Sequence, residues 1–182
     1  MTRKIYSYVG GNPMSRRDPF GLQAVDVFPG GGWTGGGMSP PTQGPLTINN
    51  GVPPGAVGWT SPNGTNFSAP PGTSWAGVYA AGQAGGMNPF AMNTAEGQFG
   101  TYDFQRDAWD DTFYSQYTNA SNFGVGVYMN GAGFSQDEML GIGWIYSLAR
   151  SNVSDQQRVN QGYWWLQGWE YANRYRNGKT CN

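Results

Sequence analysis

The sequence has no histidine, a single cysteine and little charge. It holds 10 basic and 11 acidic side chains among 182 residues, so only 12% are charged, against about 25% in an average globular domain. Without histidine there is no Ser-His or Cys-His nucleophile and no histidine-ligated metal. One cysteine excludes an internal disulfide and a thiolate zinc site. The sequence therefore predicts no cofactor and no metal, and its net charge of −1 argues against electrostatic binding of nucleic acid.

Long apolar runs are also missing. No stretch of 18 apolar residues occurs, and the closest, residues 123–149, contains Asn130, Gln136, Asp137 and Glu138. We therefore expect no membrane-spanning segment. The first residues are basic but no apolar signal core follows them, so we expect no N-terminal signal peptide, and if the protein is secreted another route has to carry it.

Glycine and proline are abundant, and most of the prolines lie in one segment of the chain. Residues 23–72 hold twelve glycines and nine prolines, which is typical of a linker or a loop-rich wrap. Residues 1–22, with four basic side chains and one acid, form a separate compositional piece. The remaining residues, 73–182, are predicted to be the folded domain.

Capping signals predict a mainly α fold of about four to five helices. Ser74 is placed to cap a helix that begins at Trp75. Ser135 and Ser154 are each followed three residues later by Glu or Gln, which is the pattern of a capping box. A further helix is expected at about Asn122–Asn130, where glycines would let a neighbouring helix pack closely. Residues 97–117 are ambiguous, and their second half, residues 107–117, is interpreted as helical.

The N-terminal piece carries two recognisable motifs. Residues 6–13 are Tyr-Ser-Tyr-Val-Gly-Gly-Asn-Pro, and residues 18–22 are Asp-Pro-Phe-Gly-Leu. In order and spacing they resemble the end of Rhs repeat-associated core domains. The resemblance implies a core shell that encloses a C-terminal toxin and an autoproteolytic cut after the leucine. The autoprocessing residues carried over are Asp18, Pro19, Gly21 and Leu22.

Aspartyl cleavage requires a second carboxylate that shares a proton with the first. The shell that would supply this partner acid in the Rhs family is missing from the present sequence. Asp18 alone is therefore not expected to cleave the chain.

The C-terminal part resembles a second family. Residues 100–106 are Gly-Thr-Tyr-Asp-Phe-Gln-Arg, and residues 119–126 are Asn-Ala-Ser-Asn-Phe-Gly-Val-Gly. Over about residues 97–150 these motifs resemble polymorphic toxin type 44, although Gly-Val stands here where that family usually has Asn-Tyr. The resemblance implies an effector of interbacterial competition, delivered into a target cell by type VI or similar secretion and neutralised in its producer by a cognate immunity protein.

Acid–base chemistry without histidine falls to carboxylates, tyrosine or lysine. Glu96 and Asp103 lie seven residues apart in the most motif-like region. A Glu with a raised pKa as acid and an ionised Asp as base or charge stabiliser is the arrangement of glycosidases. Arg106 would orient Asp103 or clamp an anionic group. Side chains suited to sugar hydroxyls, acetamido groups or ring faces are the substrate-binding candidates: Tyr102, Asn119, Asn122, Trp165 and Trp169.

Each candidate also has a structural interpretation. Asp103 and Arg106 could form a salt bridge that only orients a loop. Glu96 could be solvated, and the tryptophans could belong to the core. Three acids, Asp107, Asp110 and Asp111, fit a solvated turn better than a calcium loop.

These observations favour a toxin that hydrolyses the glycan of peptidoglycan. A nuclease or ribonuclease of the same effector class is the main alternative, although the acidity and missing histidine weigh against it. A membrane-active toxin built on residues 123–149 and a non-enzymatic surface-binding module are the other interpretations.

Overall fold

The computed structural model describes residues 47–107, 112–150 and 154–177, together with the backbone of residues 16–17 and 25–26. These residues form a mainly α-helical fold with five α-helices, as the sequence predicts. The helices are α1 (Trp75–Gly85), α2 (Pro89–Glu96), α3 (Thr118–Gly131), α4 (Gln136–Arg150) and α5 (Asp155–Arg176).

Short strands accompany the helices. They are β1 (Arg16–Arg17), β2 (Val25–Asp26), β3 (Thr47–Asn49), β4 (Val57–Thr60), β5 (Asn66–Ala69), β6 (Arg106–Asp107) and β7 (Thr112–Tyr114). The pairs β1–β2 and β4–β5 are antiparallel. Strand β7 lies at the centre of a three-stranded sheet, parallel to β3 and antiparallel to β6.

The three predicted helix starts are confirmed. The Ser74 hydroxyl accepts a hydrogen bond from Gly77 N at 3.1 Å. The Ser135 amide donates to Glu138 Oε2 at 2.9 Å, and the Glu138 amide donates back to Ser135 Oγ at 3.3 Å. The same reciprocal pair joins Ser154 and Gln157. These caps satisfy amides that have no partner inside the helix.

Helix α2 is not among the helices that the sequence predicts. The Asn88 side chain accepts from Phe90 N at 2.9 Å, and Pro89 occupies the first helical position. Helix α1 ends at Gly85 with Gly86 as its cap, so Asn88 and Pro89 serve only to begin α2.

The helical interpretation of residues 107–117 is wrong. Residues Thr112–Tyr114 form strand β7, and Ser115–Tyr117 form a single 3₁₀ turn that leads into α3. β-Branched and aromatic side chains favour a strand, and here the partners β3 and β6 are both present to complete the ladder. Residues 108–111 lie outside the described part of the chain.

The linker prediction is wrong for residues 57–69. Strands β4 and β5 form a hairpin, and the side chains of Phe67 and Ala69 are buried in the core. The Phe67 ring lies 5.0 Å from that of Phe123 and 5.2 Å from that of Trp164, measured between centroids. Much of the predicted linker, residues 27–46, lies outside the described residues.

Helix α3 packs closely between α1 and α5, and glycines make this possible. A Cβ added at Gly126 would overlap the carbonyl oxygen of Trp165 in α5, and one at Gly168 would overlap that of Phe123 in α3. On the other side, a Cβ at Gly82 would overlap the carbonyl of Tyr128. The predicted close approach at the α3 glycines is confirmed. None of the helices in the described ranges is long and apolar enough to cross a bilayer.

The contact between α3 and α5 can be tested by substitution. We expect Gly126→Ala to lower the free energy of unfolding by about 3 kcal/mol, because the added methyl meets rigid backbone and the helices must separate. Gly141 in α4 is the matched control, since a Cβ there has no atom within 4 Å. We expect Gly141→Ala to raise stability by about 0.5–1 kcal/mol. Urea unfolding would measure both, and equal effects would contradict the packing described here.

Candidate active site

A cavity of about 700 Å³ lies between the end of α2, the turn that follows it, and helices α3, α4 and α5. This volume lies within the range of about 300–1,000 Å³ that small-ligand sites occupy. Among the described residues that line it, three have acidic or basic side chains: Glu96, Asp103 and Arg106. The three predicted catalytic residues thus share one cavity.

Glu96 is the last residue of α2. Both of its carboxylate oxygens are buried, and neither has a hydrogen-bond partner. Oε2 packs over Gly124 of α3, where an added Cβ would be 3.5 Å away. Burial raises the pKa of Glu96 well above its usual value, and the nearby Asp103 carboxylate raises it further. The protonated form is therefore favoured, and the interpretation of Glu96 as a solvated side chain is wrong.

Asp103 is also buried, but its carboxylate, unlike that of Glu96, has hydrogen-bond partners. Its Oδ2 accepts from the Phe99 amide at 2.8 Å. Arg106 Nη1 lies 2.9 Å from Oδ2 and 3.2 Å from Oδ1. An amide and a guanidinium therefore both bind the oxygens of this side chain. The site holds one buried carboxyl group without a hydrogen-bond partner, Glu96, and one with three hydrogen bonds, Asp103.

The turn after α2 builds this arrangement. The Tyr102 amide donates to Ala95 O at 2.8 Å, which folds the turn back onto the helix. Phe99 has a φ of 61°, in the left-handed region. For a side chain with a Cβ this conformation costs about 1–2 kcal/mol, and such strain often accompanies functional sites. Here the strained residue is the one whose amide binds Asp103.

Of the substrate-binding candidates, Tyr102, Asn122 and Trp165 line the cavity. Asn122 Oδ1 accepts from Trp165 Nε1 at 3.0 Å, and Asn122 Nδ2 donates to Thr118 O at 2.8 Å. These polar groups therefore mainly bind one another and connect α3 to α5. The Trp165 side chain is also part of the buried core.

The structure does not bring the other two candidates to the cavity. Asn119 is half-buried elsewhere on α3, and Trp169 donates from Nε1 to Phe134 O at 2.9 Å. The autoprocessing residues Asp18, Pro19, Gly21 and Leu22 lie outside the described residues.

Sequence reasoning missed most of the amides that line the cavity. They are Asn93, Gln98, Gln105, Gln157, Asn160 and Gln161. In α5, Asn160 and Gln161 lie three and four residues after Gln157, so all three share a helix face. That spacing was the available signal, but Gln157 was considered only as a cap.

Helix α4 forms one wall of the cavity. The Tyr146 hydroxyl accepts from the Gln98 amide at 3.1 Å, and Ser147 Oγ donates to Gln161 Oε1 at 3.0 Å. The first bond connects α4 to the turn that carries Asp103. The second connects α4 to α5. Within residues 47–107, 112–150 and 154–177, no three acidic or thiol side chains are grouped to hold a metal ion.

Comparison with known proteins gives no match to a family model, a curated protein or a solved structure. The resemblances to Rhs core ends and to polymorphic toxin type 44 therefore stay predictions that rest on their motifs.

The raised pKa of Glu96 makes a prediction about stability. Because the folded state holds this proton more tightly than the unfolded state, stability should fall as pH rises above about 4.3, the ordinary Glu value. Glu96→Gln removes this loss. We therefore expect the variant to match the wild type in acid and to become the more stable of the two as pH rises to neutrality.

Urea unfolding at a series of pH values would measure the difference between the two proteins. Glu138→Gln is the control, because hydrogen bonds from Ser135 lower the pKa of that exposed carboxylate. Its effect should have the opposite sign, with stability lost at neutral pH and the difference disappearing in acid. If the stability difference between Glu96→Gln and the wild type did not change with pH, the raised pKa of Glu96 would be contradicted.

Proposed function

We propose that this protein is a carboxylate-dependent glycan hydrolase and the toxin domain of an Rhs-type effector, acting on peptidoglycan. One observation carries the proposal. Glu96, whose buried carboxyl group has a raised pKa, and Asp103, whose carboxylate is paired with Arg106, both belong to the residues that line one cavity. Glycoside hydrolysis uses two carboxyl groups whose environments differ.

Glu96 takes the role of general acid. It donates its proton to the glycosidic oxygen as the bond to the anomeric carbon breaks. Asp103 either stabilises the positive charge that develops on the sugar ring or accepts a proton from the attacking water. Arg106 is a positioning residue, since its Nη1 contacts both oxygens of Asp103.

The remaining lining favours an uncharged polar ligand. The Asp103–Arg106 pair is neutral overall, and protonated Glu96 adds no charge. Side-chain amides then supply donors and acceptors for hydroxyl and acetamido groups. A phosphate-bearing substrate would find no unpaired cation among the described lining residues, which favours a glycan over a nucleic acid.

A substrate must reach groups that are now buried. The Glu96 oxygens are inaccessible, and the Asp103 side chain is 3% exposed. Groups that cover them therefore have to move before a sugar can contact both carboxyl groups. Near Gly124 of α3, the Glu96 Oε2 atom shares its surroundings with the rings of Trp75 and Phe104.

Hydrolysis can be tested with purified sacculi. The full chain should release soluble muropeptides, whereas Glu96→Gln and Asp103→Asn should each lower the rate by at least about 100-fold, the usual minimum for loss of a general acid or base. Glu170→Gln, which alters a half-exposed ion pair on α5, is the matched control and should retain the wild-type rate. Chromatography of the released fragments would measure all four proteins. Wild-type rates in both site variants would show that the carboxyl assignment is wrong.

The compartment of toxicity separates glycan hydrolysis from the nuclease alternative. We expect the full chain to kill when it is exported to the periplasm by an added signal and to be harmless when it stays in the cytoplasm. Viable counts after induction would measure this, with a cognate immunity protein expected to restore growth. Killing only without the signal would instead favour a cytoplasmic target.

A further inference from the structure

A second cavity, of about 510 Å³, lies next to the first. Four prolines and four aromatic rings line it, together with Arg106 and Asp107. The rings of Phe99 and Tyr114 are half-buried, so part of each is exposed. Pro54 and Pro71 are exposed at the same cavity.

The two cavities share their walls. Arg106 lines both of them, and its guanidinium lies 5.6 Å from the ring centroid of Phe113, which lines the first. Phe99 lines the second cavity while its amide donates to Asp103 in the first. The Tyr114 amide donates to Gln105 O at 2.8 Å, which joins a lining residue of one cavity to a lining residue of the other.

The lining of the second cavity suits a ligand with apolar faces and polar edges. Aromatic and proline rings provide flat apolar surface, and tyrosine adds a hydroxyl at its end. Arg106 and Asp107 are the charged residues of this lining. A sugar ring has this combination, because its C–H faces are apolar and its hydroxyls point outward around the edge.

We propose that the second cavity is a sugar-binding subsite of the same cleft, so that the protein binds an extended glycan chain across Arg106 with one part in each cavity. This inference rests on the proposed function. Beyond that function, the inference states that the substrate is a polymer and that Tyr114 determines the preference for long chains.

Binding measurements test the subsite without requiring hydrolysis. The probe is a series of soluble N-acetylglucosamine oligosaccharides, from disaccharide to octasaccharide, titrated by calorimetry into the full chain carrying Glu96→Gln. We expect affinity to increase by about tenfold or more with length, as a second set of contacts is engaged. Adding Tyr114→Ala should remove most of that increase.

Two further variants extend the test: one obstructs the second cavity from another side, and the other is a control that removes an exposed ring elsewhere. Pro54→Glu places a longer side chain at the mouth of the second cavity from an exposed turn, and it should also reduce the length dependence. Phe90→Ala removes a ring that is 55% exposed and lines neither cavity, and it should leave the length dependence unchanged. Thermal unfolding would show whether each variant is folded.

The results distinguish this inference from the proposed function. Length-dependent binding that Tyr114→Ala and Pro54→Glu both reduce would support the subsite, even if the wild type failed to cleave sacculi. Cleavage of sacculi with length-independent binding would overturn the subsite and leave the hydrolase proposal standing. Absence of binding at every length would overturn the subsite as well.

Discussion

The close approach of α3 to both α1 and α5 is the constraint on which the rest of the structure depends. Carbonyl groups of one helix lie where side chains of the next would be, so glycine is required at the crossing points. Gly126 and Gly168 serve the α3–α5 contact, and Gly82 and Gly131 serve the α1–α3 contact. The aromatic core forms around this arrangement, with Trp75 and Phe123 in edge-to-face contact at 4.8 Å.

The same packing accounts for the behaviour of Glu96. Gly124 leaves space on α3, and the Glu96 carboxyl group lies over it with Trp75 and Phe104 close by. Apolar neighbours offer no hydrogen bond and exclude water, so the charged form is disfavoured. Asp103, seven residues later, lies beside an amide and a guanidinium. The unequal chemistry of the two carboxyl groups thus follows from where the turn after α2 places them.

Composition and cavity lining both support the proposed glycan ligand. The chain has little charge, and the described walls of both cavities are lined mainly by amides, aromatic rings and prolines. The charged groups of the first cavity are the proposed acid, the proposed base and its arginine partner. An uncharged polymer with hydroxyl and acetamido groups fits these surfaces better than a phosphate backbone does.

Local signals in the sequence were sufficient for the helix starts, since a capping box involves residues only three positions apart. They also made Glu96 and Asp103 the candidate acid and base, because the absence of histidine left few groups able to transfer a proton, and Arg106 a candidate partner of Asp103. They failed for residues 57–69, where a local hairpin is buried against distant helices, and for β7, whose partner β3 comes from a distant part of the chain. Glycine and proline content indicated a linker there, while Phe67 and its burial against α3 and α5 could not be read from neighbouring residues.

By itself, then, the sequence determined the helical class, the helix caps and the restriction of any acid–base chemistry to carboxylates, tyrosine or lysine. Only the tertiary structure decided that the pKa of Glu96 is raised, because that shift comes from burial by residues distant in sequence and from the nearby Asp103 carboxylate. It also decided that Asn122 and Trp165 bind each other and that Trp169 lies away from the cavity. Side-chain surroundings arise from helix packing, and that packing was set by backbone contacts at glycines whose partners no local pattern identifies.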